Sequence, residues 1–200
     1  PPECGATEFA DLRAAYDAWP GSSTGLAKAD LDGLACEHSI VYSRKVQGIE
    51  LYDEKELTEL TGARQLLVRR HPATGRPNFY LASHIYGILG WETEKALALK
   101  QELIDWSTQR RFVYAHQWEP GDLVIWDNRC IVHRGTPWER GTFRRVMHRT
   151  TVMGDGPSLP NDSPWALPQQ AADADAMRQE ALSFAAEPLQ AAPLSPTPAP

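Results

Sequence analysis

Arg145 and Arg149 stand four residues apart in the run Arg144-Arg145-Val146-Met147-His148-Arg149-Thr150. That stretch reads as a strand from Phe143 to Met153. Side chains alternate across a strand, so Arg145, Met147 and Arg149 share one face, with the two guanidiniums about 13 Å apart. If that face points into a folded interior, each guanidinium needs an anion, because an unpaired buried charge costs several kcal/mol. Arginine holds a carboxylate through two parallel hydrogen bonds, so one function of this pattern is a site for one or two carboxylate-bearing small molecules. Internal salt bridges or a solvent-facing strand satisfy the same spacing, and charged residues are mostly exposed. His133 closes the β-branched run Cys130-Ile131-Val132-His133, just before Gly135 and Pro137. A lone histidine in that position is more often a packed or surface residue than a metal ligand.

The elements that must position these groups can be read along the chain. Residues 5 to 9 are a short extended piece. Asp11 caps a helix to about Trp19 with Leu12, Ala15, Tyr16 and Trp19 on one face, and Pro20-Gly21-Ser22-Ser23 ends it. A second helix is expected from Lys28 to Cys36 and an extended piece from Ser39 to Lys45. Residues 46 to 63 have no clear period and read as a loop or weak helix. Gln65 to Arg69 reads as a strand. His71-Pro72-Ala73-Thr74-Gly75-Arg76 is a turn, and Asn78 to Ala82 is the returning strand. A long helix is expected from Glu92 to about Gln109, with Leu97, Leu103, Ile104 and Trp106 on its apolar face. Further strands follow at Arg111 to Trp118, at Asp122 to Trp126 after the Pro120-Gly121 turn, and at Cys130 to His133 after the Asp127-Asn128 turn. Several short strands joined by turns and decorated by helices favour an antiparallel double-sheet roll.

The chain has 200 residues, 42% hydrophobic and 23% charged, with a formal net charge of −6. That is enough for one domain with a sizeable core. The acidic balance argues against a nucleic-acid partner. No apolar run reaches the roughly 20 residues a membrane span needs, and the start lacks the charged-then-apolar pattern of a signal peptide. Cys4, Cys36 and Cys130 are far apart and form no C-x-x-C pair, so neither a disulfide framework nor a thiolate zinc site is expected. A reducing compartment, the cytoplasm, is the default. From Gly156 onward the sequence holds 9 prolines and many alanines, with one short helix near Ala171 to Phe184. The expected division is a folded part over residues 1–155 and a disordered tail over 156–200.

One string is more specific than any of these patterns. Trp126-Asp127-Asn128-Arg129, then His133-Arg134-Gly135, then Arg144-Arg145-x-Met147-His148-Arg149-Thr150 resembles the signature of the taurine dioxygenase (TauD/TfdA) family. Gly5-x-Thr7, Ala14-Ala15-Tyr16, Glu37-His38-Ser39, Arg70-His71-Pro72-x-Thr74-Gly75-Arg76, Leu81-Ala82-Ser83-His84 and Trp118-x-x-Gly121-Asp122 extend the likeness over roughly residues 1 to 155. The Glu-His-Ser, Leu-Val-Arg-Arg-His-Pro and Leu-Ala-Ser-His pieces resemble the 2,4-dichlorophenoxyacetate dioxygenase branch. The resemblance implies a mainly β fold with helices, a double-stranded β-helix or jelly roll, here incomplete at its N-terminal side. It implies iron(II) held by a His-x-Asp pair and a distant histidine. It also implies 2-oxoglutarate as cosubstrate, O₂, and a small, anionic substrate. Carried over residue by residue, His133 is the distant metal ligand. Arg145 and Thr7 bind the far carboxylate of 2-oxoglutarate, and Trp126 lines its pocket. Arg149 grips the anionic group of the substrate, with His71 and His84 near it; either histidine is equally explained by structure, His71 by its proline turn. No residue is assigned a catalytic role beyond binding. A homo-oligomer is left open.

The residues two places after the six histidines are Ile40, Ala73, Tyr86, Trp118, Gly135 and Thr150, so the 200 residues contain no His-x-Asp or His-x-Glu. In the family that pair precedes the Gly-x-Thr strand. The expectation is therefore truncation upstream of Pro1 and a chain inactive by itself. The function implied is an Fe(II)/2-oxoglutarate-dependent dioxygenase. The alternatives are a non-catalytic β-roll binding module descended from one, and a carboxylate-binding roll without metal.

Overall fold

The structure, a computed structural model, describes residues 5–48, 62–139, 141–154, 156 and 158–159. Among the described residues, eight short strands are arranged as two three-stranded antiparallel sheets and a hairpin. In the first sheet β1 (Thr7–Asp11) lies between β7 (Val113–His116) and β8 (Ile131–Gly135). In the second, β2 (Ala35–His38) lies between β3 (Ala63–Leu66) and β6 (Ile85–Ile88), and β4 (Val68–Arg70) with β5 (Pro77–Phe79) forms the hairpin.

α1 (Leu12–Ala18) starts where β1 ends, because the Asp11 carboxylate accepts from the backbone N–H groups of Arg13 at 2.8 Å and Ala14 at 3.3 Å. Two of the first orphan donors are thereby satisfied, and the helix turns Leu12 and Ala15 inward. Phe79 of β5 takes the edges of Tyr16 and Trp19 at centroid distances of 5.2 and 5.7 Å. The long helix α4 (Thr93–Ser107) closes the other side, burying Ala96, Leu99 and Leu103 and donating Trp106 Nε1–H to the Ala15 carbonyl at 2.9 Å. Leu97 and Ile104, expected at the centre of its apolar face, lie at the margin.

Several expectations are corrected. The second helix, α2, covers only Lys28–Leu31, and Ala35 and Cys36 belong to a strand. Ser39 to Lys45 is not extended. Ser39 accepts the Tyr42 N–H at 3.2 Å as an N-cap, and α3 runs Ile40–Val46, because burial of Val41 and Tyr42 outweighs a weak β-branched preference. The Gln65–Arg69 strand is two strands broken at buried Leu67, whose N–H bonds Leu34 O instead. Strand β6 was not foreseen. Asp122–Trp126 and Phe143–Met153, expected as strands, enter no ladder among the described residues. Their apolar side chains are left in solvent, Leu123 at 85% and Ile125 at 87% exposure, with Val146, Val152 and Met153 also exposed. The loop or weak helix expected over 46 to 63 and the helix over Ala171 to Phe184 fall almost wholly outside the described residues. Within the stretch expected to be a tail, Ser158 bonds Gln65 Oε1 and the Leu66 N–H, and Leu159 is buried. Cys36 and Cys130 are both free and buried.

Candidate active site

The site is built on one face of the β7–β1–β8 sheet. In β1, Thr7 and Phe9 point the same way, and Phe9 pairs directly with His133 of β8. Residues opposite one another share a face, so Thr7, Phe9 and His133 lie together. Val132, Arg134 and Glu8 take the opposite face, where Arg134 Nε meets Glu8 Oε2 at 2.7 Å. Ring packing fixes the His133 imidazole: Trp126 lies 4.9 Å away and Phe9 6.1 Å, and Trp126 in turn lies 5.3 Å from Phe9. Trp126 is held by its own Nε1–H, which donates to Asn128 Oδ1 at 2.8 Å. Partial desolvation, and then the Arg149 guanidinium nearby, push His133 below the ordinary histidine pKa. The neutral imidazole this favours is the form that ligates metals.

At the other end of that face, Arg145 donates from Nη2 to Thr7 Oγ1 at 3.2 Å and from Nε to the Gly5 carbonyl at 3.0 Å. Trp118 Nε1–H donates to the same Thr7 oxygen at 2.9 Å. A hydroxyl has two acceptor positions and one proton. Both acceptor positions of Thr7 are filled, so its O–H is left to donate. Arg145 has five N–H donors and spends two on protein, leaving three, while its charge also sits 5.4 Å from the Trp138 ring centroid. A hydroxyl that can only donate beside a half-buried guanidinium is a receptor for a carboxylate.

Thr7, Trp126, His133 and Arg145 thus share one sheet face, with Arg149 close enough to His133 to influence its charge. His71 and His84 share no hydrogen bond, ion pair or ring contact with any of them. His71 is 8% exposed and places Nε2 3.0 Å from Asp127 Oδ2, while Arg129 holds the same carboxylate from Nη2 at 2.7 Å. Arg129 foremost, and His71 after it, hold the Asp127 carboxyl well below the usual range. His84 pairs instead with His38. Trp118, passed over as a site residue, proves to orient Thr7. Its signal in sequence was the Trp118-x-x-Gly121-Asp122 turn, where Asp122 accepts from the Glu119 N–H and His116.

Whether iron fits can be judged from the donor set. Among the described residues one group of three could hold a cation, His71, Asp127 and Cys130. Its carboxylate is already neutralised by Arg129, and it does not include His133. Among the described residues His133 is therefore left as a single ligand, which alone is not an iron site. The Thr7 hydroxyl and the remaining Arg145 N–H groups, in contrast, are donors of the kind a carboxylate takes.

A β-rich chain with helices that gathers a carboxylate receptor and a ring-packed histidine on one sheet face matches, over residues 1–151, the family described as "Taurine catabolism dioxygenase TauD, TfdA family"; this protein belongs to that family. It is 39% identical over 155 residues to an alpha-ketoglutarate-dependent 2,4-dichlorophenoxyacetate dioxygenase of Cupriavidus pinatubonensis, covering 78% of this chain and 52% of the relative. It is 38% identical over 157 residues to a (S)-phenoxypropionate/alpha-ketoglutarate-dioxygenase of Sphingobium herbicidovorans, covering 76% and 53%. Among solved structures, AAD-2 in complex with Mn(II) and N-oxalylglycine superposes with a TM-score of 0.70 at 40% identity, over 80% of this chain and 61% of that one. The chain spans about half the length of the curated relatives it matches.

Proposed function

We propose that the protein is the C-terminal part of an Fe(II)/2-oxoglutarate-dependent dioxygenase. The whole enzyme converts 2-oxoglutarate and O₂ to succinate and CO₂ while hydroxylating a small organic anion. One observation carries the reading: Thr7 Oγ1 accepts from both Trp118 and Arg145, so that a forced hydroxyl donor and a guanidinium face one anion on the sheet face that bears His133. In this reading Thr7 and Arg145 hold the far carboxylate of the cosubstrate and Trp126 walls its pocket. His133 is one iron ligand, iron supplying oxygen activation when bound. The relatives named for phenoxyacetate and phenoxypropionate make an aryloxyalkanoate the substrate class, with Arg149 on its carboxylate and His84 beside it.

The two sheets belong to a double-stranded β-helix. The unladdered segments 122–126 and 143–153, with apolar side chains in solvent, support this, since a roll needs partners for both. Residues 1–155 form its C-terminal part and most of 156–200 a tail. Because the 200 residues contain no His-x-Asp or His-x-Glu, the polypeptide alone supplies too few ligands for turnover.

Calorimetric titration with 2-oxoglutarate should show binding that Arg145→Ala abolishes. Assayed for succinate with Fe(II), O₂ and 2,4-dichlorophenoxyacetate, the chain alone should not exceed its His133→Ala variant. Turnover should appear once a polypeptide carrying a His-x-Asp strand is fused ahead of Pro1. Absence of 2-oxoglutarate binding overturns the cosubstrate assignment, and succinate production by the 200 residues alone overturns the ligand count.

A further inference from the structure

His38 and His84 form a buried pair that the site as described does not use. Their Nδ1 atoms lie 3.0 Å apart and their ring centroids 5.0 Å apart. His38 belongs to β2, and its position is doubly fixed. Its neighbour Ser39 takes the His84 carbonyl on its N–H at 2.8 Å, and its ring leans on Tyr80 at 5.7 Å. Two nitrogens at this separation share a single proton, so one Nδ1 donates and the other accepts.

Burial decides which. His38 is 4% exposed, and its Nε2 is buried with no hydrogen-bond partner. A buried N–H without an acceptor is a costlier defect than a bare acceptor atom. If the shared proton sat on His84, neutral His38 would carry its own proton on that orphaned Nε2. Charging His38 instead is opposed by desolvation first, then by His84 and Arg69, whose guanidinium lies over the Tyr80 ring. Nδ1 of His38 therefore carries the proton. Neutral His84, accepting at Nδ1, must carry its proton on Nε2. Among the described residues that N–H has no partner, and His84 is only half-buried.

We infer that His38 is a positioning residue: by donating its Nδ1 proton to His84 it fixes His84 as the Nε2–H tautomer, a neutral donor left for an acceptor oxygen of a bound molecule. The inference rests on the proposed function in one respect, that the molecule is the substrate, where an ether or carboxylate oxygen is the acceptor.

The test is long-range ¹H–¹⁵N correlation of the imidazoles in the ¹⁵N-histidine-labelled 200-residue chain at pH 7.5. It needs no iron, 2-oxoglutarate or substrate, so its failure leaves the proposed function standing. The native spectrum should show His84 protonated on Nε2 and His38 on Nδ1. His38→Leu should release His84 to a mixture of Nδ1–H and Nε2–H tautomers. His38→Asn, whose side-chain amide nitrogen falls close to the place of Nδ1, should restore the single tautomer. His84 protonated on Nδ1 in the native chain overturns the inference, as does a His84 spectrum unchanged in His38→Leu. Should His38→Leu fail to fold, the native spectrum alone decides.

Discussion

At the scale of single residues, the proposed carboxylate receptor is oriented by a side chain that has no charge. Trp118 occupies one acceptor position of Thr7, and Arg145 occupies the other. Trp118→Phe keeps an aromatic ring against His116, 4.6 Å away, and deletes only the donor. The Thr7 hydroxyl can then rotate its proton away from the ligand. Affinity for 2-oxoglutarate should fall about 5- to 10-fold, equivalent to roughly 1 to 1.4 kcal/mol for one neutral hydrogen bond, by calorimetry. Thr7→Ser should stay close to native, and Thr7→Val should fall further than Trp118→Phe. The opposite outcome is expected at His71. Its Nε2 faces Asp127, so His71→Ala should lower the denaturation midpoint, by about 1 to 3 kcal/mol for a broken buried polar contact, and leave 2-oxoglutarate affinity unchanged. A loss of affinity with no loss of stability would return His71 to the ligand site.

At the scale of elements, legibility followed local chemistry. The α1 boundary could be read because a carboxylate at its start has a short-range job, and the structure shows Asp11 doing it. Burial raises the Asp11 pKa, yet hydrogen bonds from Arg13 and two backbone N–H groups outweigh it and hold the carboxyl low. Asp11→Asn should be tolerated as a cap, whereas Asp11→Ala should cost about 1 kcal/mol in urea denaturation. The α4 helix was legible from its period over fifteen residues. The misreadings share a cause. Ser39–Lys45 and Lys28–Cys36 are too short for period to separate helix from strand, and burial of Val41, Tyr42 and Cys36 settled them through distant partners. The strands expected at 122–126 and 143–153 are not formed among the described residues. A ladder needs a partner strand, and pattern alone does not supply one. The candidate site was legible only through the resemblance. Spacing put Arg145 and Arg149 on one face but could not say which face, the Trp118-x-x-Gly121-Asp122 turn marked Trp118 without its partner, and nothing local marked the pairing of His38 with His84.

For the molecule as a whole, acid should act in two separable steps. His38 is pushed down to about 3 by desolvation first, and desolvation also lowers His84. Both stay neutral in the folded chain at pH values where an unfolded histidine, with a pKa near 6.5, takes up a proton. Between pH 6.5 and about 4 the unfolded state therefore binds more protons, and stability falls as pH falls, by up to about 1.4 kcal/mol per pH unit for His38, with His84 adding in the same direction. Asp11, Asp122 and Asp127 are lowered too, but they are carboxylates, so their contribution is intact above about 4 and is lost only below it. The upper step belongs to imidazoles and the lower to carboxylates. Urea midpoints measured from pH 7.5 to 4.5 should fall with a slope that His38→Asn reduces, because its suppressed titration is gone while those of His84 and His133 remain. An unchanged slope in that variant would mean that His38 is charged in the native chain, and its place as a neutral partner of His84 would go with it.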